Sequence, residues 1–261
     1  MASYNLLGIG TYRLQDEICT DIITQGLNLG YRQIDTAQLY RNHKDIALGI
    51  EKSNVPREEI FIISKILNSN IKKLKIPESV DLIKKELSID YIDLILLHNP
   101  VKNYEKAWEN LIQSQIHQNI RYIGTSNFDL IHLDKIIGAT DINPYLNQIE
   151  LSIWNQPTTR IIEYHKNANI IIQAHSIYTN NVKTNDLEFE EFSNNLGINK
   201  YKLMHKYLSV QQIPIVIGTK NITNLKSNYD WAFESFVDID NNIIKKFDCN
   251  YQIYCKCKKI S

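Results

Sequence analysis

The sequence predicts an α/β fold of one kind, a single-domain (β/α)8 TIM barrel over residues 1–261. Three observations predict it. Short apolar runs succeed one another along the chain, most of them continuous rather than alternating, as in Ile60-Phe61-Ile62-Ile63 and Ile170-Ile171-Ile172. Continuous apolarity fits strands covered on both faces, the habit of parallel sheets. Segments with helical period lie between the runs, and run starts are mostly about 25–30 residues apart, the length of a strand–helix unit with short loops.

The expected strands are Leu6–Tyr12, Gln33–Ala37, Ile60–Ile66, Asp93–Asn99, Arg121–Asn127, Asn147–Ser152, Asn169–Ser176 and Pro214–Thr219. Eight such units close naturally into a barrel. Among the helices, Asp16 is placed to cap a segment with Ile18, Ile22, Ile23 and Leu27 on one face. Asn103 precedes a helix with Ala107, Trp108, Leu111 and Ile112 inward. Asp129 opens another with Leu133, Ile136 and Ile137 aligned, ended by Gly138. The polar, poorly periodic stretch Tyr178–Asn195 reads as a long loop over the active face. No Pro-, Gly- or Ser-rich linker divides the chain.

Composition narrows the function classes. The chain has 261 residues, 43% of them hydrophobic, with 29 basic and 29 acidic side chains. The balance gives no net field for nucleic acid or an acidic membrane. No apolar run approaches the ~20 residues of a bilayer span, and no secretory signal is visible at the N-terminus. Cys19, Cys249, Cys255 and Cys257 make no disulfide framework, which fits a reduced, cytoplasmic setting. Cys255-Lys256-Cys257 has no His or second Cys pair at ligand spacing, so no metal is expected.

Gly8-Ile9-Gly10-Thr11-Tyr12-Arg13 lacks the third glycine of a dinucleotide fingerprint, since Leu14 stands there. The two glycines suit a tight first strand end, and any nicotinamide cofactor is held without a Rossmann unit.

Reacting groups of such barrels sit at the C-terminal strand ends. Those ends offer Asp35 and Tyr40, Lys65, His98, Ser126-Asn127, Gln148 and Glu150, His175-Ser176, and Gly218-Thr219-Lys220. Asp35, Tyr40, Lys65 and His98 make chemical sense as a proton-delivery site. A phenol with a reference pKa of about 10 gives up its proton more readily beside an ammonium. Asp35 can hold Lys65 charged and oriented, and His98 can donate to a substrate oxygen. Taken singly, each has an ordinary structural reading; four converging on neighbouring strand ends are harder to dismiss.

With these residues in view, the chain resembles the aldo-keto reductase family over nearly its whole length. Gly30-Tyr31-Arg32-Gln33-Ile34-Asp35-Thr36-Ala37-Gln38-Leu39-Tyr40-Arg41-Asn42 is similar to the family's strand-2 signature. Ile63-Ser64-Lys65 and Leu96-Leu97-His98-Asn99-Pro100 are similar to the segments that carry its lysine and histidine. The resemblance implies reduction of a small-molecule aldehyde or ketone, with Tyr40 as proton donor and Asp35, Lys65 and His98 completing the catalytic tetrad. Ile123-Gly124-Thr125-Ser126-Asn127-Phe128 and Asn147-Gln148-Ile149-Glu150 are similar to the nicotinamide-binding motifs, which implies that Ser126, Asn127 and Gln148 hold the carboxamide. Glu150 then becomes a structural strand residue rather than the partner of Asp35 in a hydrolytic carboxylate pair. Asp35, His175, Ser176, Gly218, Thr219, Lys220, Asn221, Asn224 and Asn228 complete the cofactor residues on the same grounds.

The chain departs from the family pattern in three places. His175 stands in Ala174-His175-Ser176-Ile177 where the family has a stacking tyrosine. An imidazole titrates near neutral pH, so His175 is expected to disfavour the oxidised, cationic nicotinamide as pH falls. Gly218 and Asn224 occupy positions where many members carry cations for the 2′-phosphate, leaving Lys220 and Lys226 as substitutes. NADPH is the implied cofactor, with NADH possible. The barrel-capping N-terminal hairpin is expected to be absent and the C-terminal tail short. Two other readings stay open: a Schiff-base lyase or aldolase using Lys65, and a catalytically idle cofactor-binding regulatory barrel.

Overall fold

The structure is a computed structural model that describes residues 7–179, 186–234 and 244–249. Eight parallel strands form a closed barrel in sequence order, β1 (Leu7–Gly10), β2 (Gln33–Asp35), β3 (Phe61–Ile66), β4 (Ile92–Leu97), β5 (Ile120–Ser126), β6 (Leu146–Glu150), β7 (Ile171–His175) and β8 (Ile215–Ile217). β8 returns to pair with β1, with Leu7 opposite Ile215 and Ile9 opposite Ile217. Each expected run overlaps one strand; β4, β5 and β6 begin one residue earlier than expected, and the expected runs overreach mainly at their C-terminal ends, where the rim residues leave the ladder. Leu6, Cys255, Cys257 and the segments on which the capping hairpin and tail would lie are outside the described residues.

Helices cover the outside: α1 (Asp16–Leu29), α2 (His43–Ser53), α3 (Asn68–Lys72), α4 (Ile76–Leu87), α5 (Tyr104–His117), α6 (Leu130–Thr140), α7 (Thr159–Asn167), α8 (Leu187–Asn195), α9 (Lys200–Val210) and α10 (Ile222–Phe233). Their apolar faces and the outward strand residues share one large core, whereas Ile63, Leu94, Leu96 and Leu146 form a second cluster, which the two-residue spacing of Ile63 from Lys65 and of Leu146 from Gln148 places inside the barrel. The interior is therefore apolar below and polar at the rim. Gly10 is required where β1 and β8 close together, since a Cβ there would come within 2.9 Å of Val216 Cγ1 and 3.2 Å of the Gly218 nitrogen.

Four local expectations are corrected. Asp16 is the first residue of α1, not its cap; Gln15 precedes it without a side-chain cap, and the Asp16 nitrogen is bonded by Asp45 Oδ2 at 2.9 Å. Ile18 is 50% exposed, because the buried stripe of α1 runs through Cys19, Ile22, Ile23 and Leu27. Gly138 does not end α6, which continues to Thr140 and stops at Asp141 in the left-handed region. The Tyr178–Asn195 stretch is not all loop: Asp186 accepts from the Phe189 nitrogen and opens α8. Phe189, wedged against Trp154 and Phe247, supplies the anchor that a sparse apolar pattern concealed. Asp129 does cap α6, accepting from the His132 nitrogen.

Candidate active site

The closure sets the ends of all eight strands around one cavity of about 700 Å³, within the roughly 300–1,000 Å³ of small-molecule and cofactor sites. Asp35 ends β2, and a single 3-10 turn, Gln38–Tyr40, swings Tyr40 back over the rim. Lys65 lies in β3 one residue before its end, and His98 directly follows β4. All four line the cavity.

Their geometry is that of a charged pair beneath a phenol. Lys65 Nζ donates to Asp35 Oδ1 at 2.6 Å and to the Thr36 carbonyl at 3.3 Å. It lies 5.3 Å from the centroid of the Tyr40 ring. Burial lowers the pKa of Lys65, and the Asp35 carboxylate opposes that shift. The His98 ring stands edge-on to Tyr40, with centroids 6.1 Å apart. Burial, then the Lys65 charge and His175, push the His98 pKa down to about 3, so its imidazole is neutral at physiological pH.

The rest of the rim is a web of amides. Asp35 Oδ2 accepts from Gln148 Nε2 at 2.7 Å, so the aspartate is bracketed by lysine on one oxygen and glutamine on the other. Asn127, which follows β5, donates through Nδ2 to the His98 carbonyl and to Ser126 Oγ, both at 3.2 Å. His175 Nε2 meets Asn127 Oδ1 at 2.9 Å, and His175 Nδ1 meets Ser176 Oγ at 2.9 Å. Burial, reinforced by Lys65, pushes the His175 pKa down to about 3. This runs against the expectation that His175 titrates near neutrality: burial and the Lys65 charge both disfavour the imidazolium.

Ser126, Asn127, Gln148, His175, Ser176, Gly218, Thr219, Lys220, Asn224 and Asn228 all line the cavity. Asn221 does not; its side chain caps α10, accepting from the Thr223 and Asn224 nitrogens. Lys226 is off the cavity lining and pairs with Asp230 at 2.6 Å one helical turn away. Glu150 is buried at the end of β6 and does not reach the cavity lining. Asn228 accepts from the Tyr178 hydroxyl at 2.9 Å. Sequence reasoning missed Tyr12, Tyr178, Tyr201 and Trp231 on the cavity wall and Gln173 beneath it. Tyr12 was visible at a strand end, whereas the others come from segments without a motif. Among the described residues no group of three or more His, Cys, Asp or Glu is placed to hold a metal ion, and no helix is long and apolar enough to cross a membrane.

A closed parallel barrel whose rim gathers a phenol, a lysine–aspartate pair and a neutral imidazole around one cavity defines an enzyme of proton-transfer chemistry with room for a cofactor. Comparison with known proteins names the class: the aldo/keto reductase family model matches residues 6–248. The chain belongs to the aldo/keto reductase family. Methylglyoxal reductase DkgB of Escherichia coli O157:H7 is 30% identical over 248 residues, 93% of this chain and 92% of that protein. Methylglyoxal reductase DkgA of Escherichia coli (strain K12) is 38% identical over 148 residues, so that alignment spans 56% of this chain and about half, 53%, of that protein. Among solved structures, an aldo-keto reductase from a Medee basin deep-sea metagenome library superposes with a TM-score of 0.88 at 24% identity, covering 98% of this chain and 96% of that one. The Bombyx mori aldo-keto reductase in complex with NADP gives 0.84 at 22% identity, covering 95% and 90%. Both share this fold.

Proposed function

We propose that the protein reduces a small aldehyde or ketone at the expense of NADPH, with Tyr40 as the proton donor. The observation that carries this reading is the placement of the Lys65 ammonium, locked to Asp35 at 2.6 Å, beneath the Tyr40 ring and beside a neutral His98. The donor set suits a nicotinamide: the Ser126 hydroxyl can donate to a carboxamide oxygen, and Gln148 Oε1 can accept from its NH2. Lys220, exposed at the cavity edge, can meet a phosphate. When bound, the reduced nicotinamide supplies a hydride from C4.

The residues of this chain do the rest. His98, neutral, donates from its imidazole to the substrate oxygen and fixes the carbonyl angle. Tyr40 passes its hydroxyl proton to that oxygen as negative charge develops on it. Lys65 stabilises the phenolate left behind, and Asp35 keeps Lys65 protonated and aimed. A lysine so engaged is a charged donor rather than a free amine, which weighs against the Schiff-base reading. Because two relatives are named methylglyoxal reductases, a 2-oxoaldehyde is the first substrate to try. The test is NADPH oxidation, followed by absorbance, with methylglyoxal and a panel of aldehydes. Carbonyl-dependent oxidation supports the proposal; cofactor binding with no turnover of any carbonyl would favour the idle regulatory barrel.

A further inference from the structure

Beneath the rim, Gln148 and Gln173 sit opposite each other in the β6–β7 register, fully buried at 1% and 0% exposure. Gln148 Nε2 donates to Asp35 Oδ2 at 2.7 Å and to Gln173 Oε1 at 2.8 Å. The direction of both bonds is forced. A carboxylate only accepts, so Gln148 must turn its NH2 toward Asp35; an amide nitrogen carries two hydrogens, and the second reaches the one oxygen that Gln173 offers. Both hydrogens of Gln148 are thus committed inside the protein. Its carbonyl oxygen is the polar atom left for the cavity that Gln148 lines.

Gln173 gains nothing for itself from this arrangement. Its own Nε2 is buried without a hydrogen-bond partner among the described residues. A buried orphan donor is a cost to folding that a methionine of similar size would not carry. A residue that leaves its own donor unpaired while fixing a cavity-lining amide fits a functional role better than a packing one.

We propose that Gln173 is a positioning residue for the nicotinamide: by accepting the second hydrogen of Gln148, it holds the Gln148 amide with Oε1 facing the carboxamide NH2. Gln148 thereby joins the cofactor's carboxamide to the carboxylate that orients Lys65, so that cofactor placement and proton delivery share one rigid chain. This rests on the nicotinamide site read above. The experiment therefore separates the two.

The affinities of NADP+ and of its 3-acetylpyridine analogue, in which a methyl group replaces the carboxamide NH2, are measured by quenching of protein fluorescence, Trp231 being on the cavity wall. The unsubstituted protein is expected to prefer NADP+ by about three- to tenfold, the worth of one neutral hydrogen bond. Gln173→Met should shrink that preference to about twofold or less, and Gln173→Glu, which keeps an acceptor oxygen, should restore most of it. The Tm of Gln173→Met should stay within about 3 °C, since the change removes one orphan donor and creates another. A Gln173→Met protein that keeps the full preference overturns the role of Gln173. Failure of the unsubstituted protein to bind either dinucleotide overturns the nicotinamide site itself. Should the variants not fold, the side-chain amide of Gln148 in the unsubstituted protein decides by NMR. Both of its hydrogens should exchange slowly with deuterium, and one fast-exchanging hydrogen overturns the proposal.

Discussion

His175 Nε2 lies 2.9 Å from Asn127 Oδ1, and the hydrogen must sit on the histidine, because the amide nitrogen of Asn127 is already turned to the His98 carbonyl and Ser126 Oγ. The residue that departs most from the family pattern is thus a hydrogen-bond donor to the loop after β5, whichever face it offers a ligand. Its pKa, pushed down to about 3, keeps it neutral throughout the physiological range. Affinity for NAD+, which carries no phosphate monoester titrating in this range, should accordingly be flat between pH 5.5 and 8. His175→Phe should leave Asn127 Oδ1 unpaired, costing roughly 1–3 kcal/mol of stability, which a lowered Tm would report. An unchanged Tm, or an NAD+ affinity that titrates near pH 6.5 in the unsubstituted protein, would refute this account of His175.

Acid should destabilise the protein well before its carboxylates are the main cause. Burial first, helped by neighbouring lysines, holds His98 and His175 down to about 3 and His205 down to about 4. In the unfolded chain the same groups take up protons below about pH 6.5. Between those limits the unfolded state binds more protons, so stability rises with pH; it is full above about 6.5 and falls as pH drops toward 4. Urea unfolding at pH 7, 6 and 5 should show that decline, with an uptake on unfolding of about three protons from these groups and a further contribution from His43 and His165, whose pKa values burial also lowers. His205→Leu, remote from the cavity, should reduce the uptake by about one. No change in slope for that variant would place the acid sensitivity elsewhere.

Tyr40→Phe removes the hydroxyl and keeps the ring that packs near Tyr12 and His98, with centroid distances of 5.1 and 6.1 Å. General acid catalysis is commonly worth about 10²–10⁴-fold, so kcat should fall by about that factor while NADPH affinity stays within a few-fold. A loss of under about tenfold would mean that another group delivers the proton, and the neutral His98 would be the first to re-examine.

The barrel was legible because most of the runs are continuously apolar, a pattern no solvent-exposed sheet needs, and because the unit length repeats. The strand-end motifs around Asp35, Lys65, His98 and Ser126 carried the rim in the same way. What was hidden depends on long-range contact. The neutrality of His175 comes from burial beside Lys65, which adjacent sequence does not report. Gln173 looks like one polar residue in an apolar strand until β6 and β7 are set side by side. Lys226 and Asn221 were expected at the cofactor from the family resemblance, yet the first pairs along its own helix and the second caps it. The helix α8 was missed because its face rests on one aromatic anchor rather than a repeating stripe.

Lys220 is, with the buried Lys65, one of two lysines that line the cavity, and it is exposed and without an ion-pair partner among the described residues. Gly218 and Asn224, beside it on the lining, bring no charge, and Lys226 is held by Asp230. An exposed ammonium meeting a 2′-phosphate gains from charge but is well hydrated, lacks the bidentate geometry of arginine and is screened by salt. Preference for NADPH over NADH should therefore be modest and should shrink as ionic strength rises. Lys220→Ala should weaken NADPH by about three- to tenfold and leave NADH unchanged, because only the former carries the phosphate. Lys220→Arg should sharpen the preference if the phosphate lies within reach of a planar fork. Titration of both cofactors at low and high salt measures all three effects together. Equal weakening of NADPH and NADH in the alanine variant would show that Lys220 shapes the loop after β8 rather than reading the phosphate.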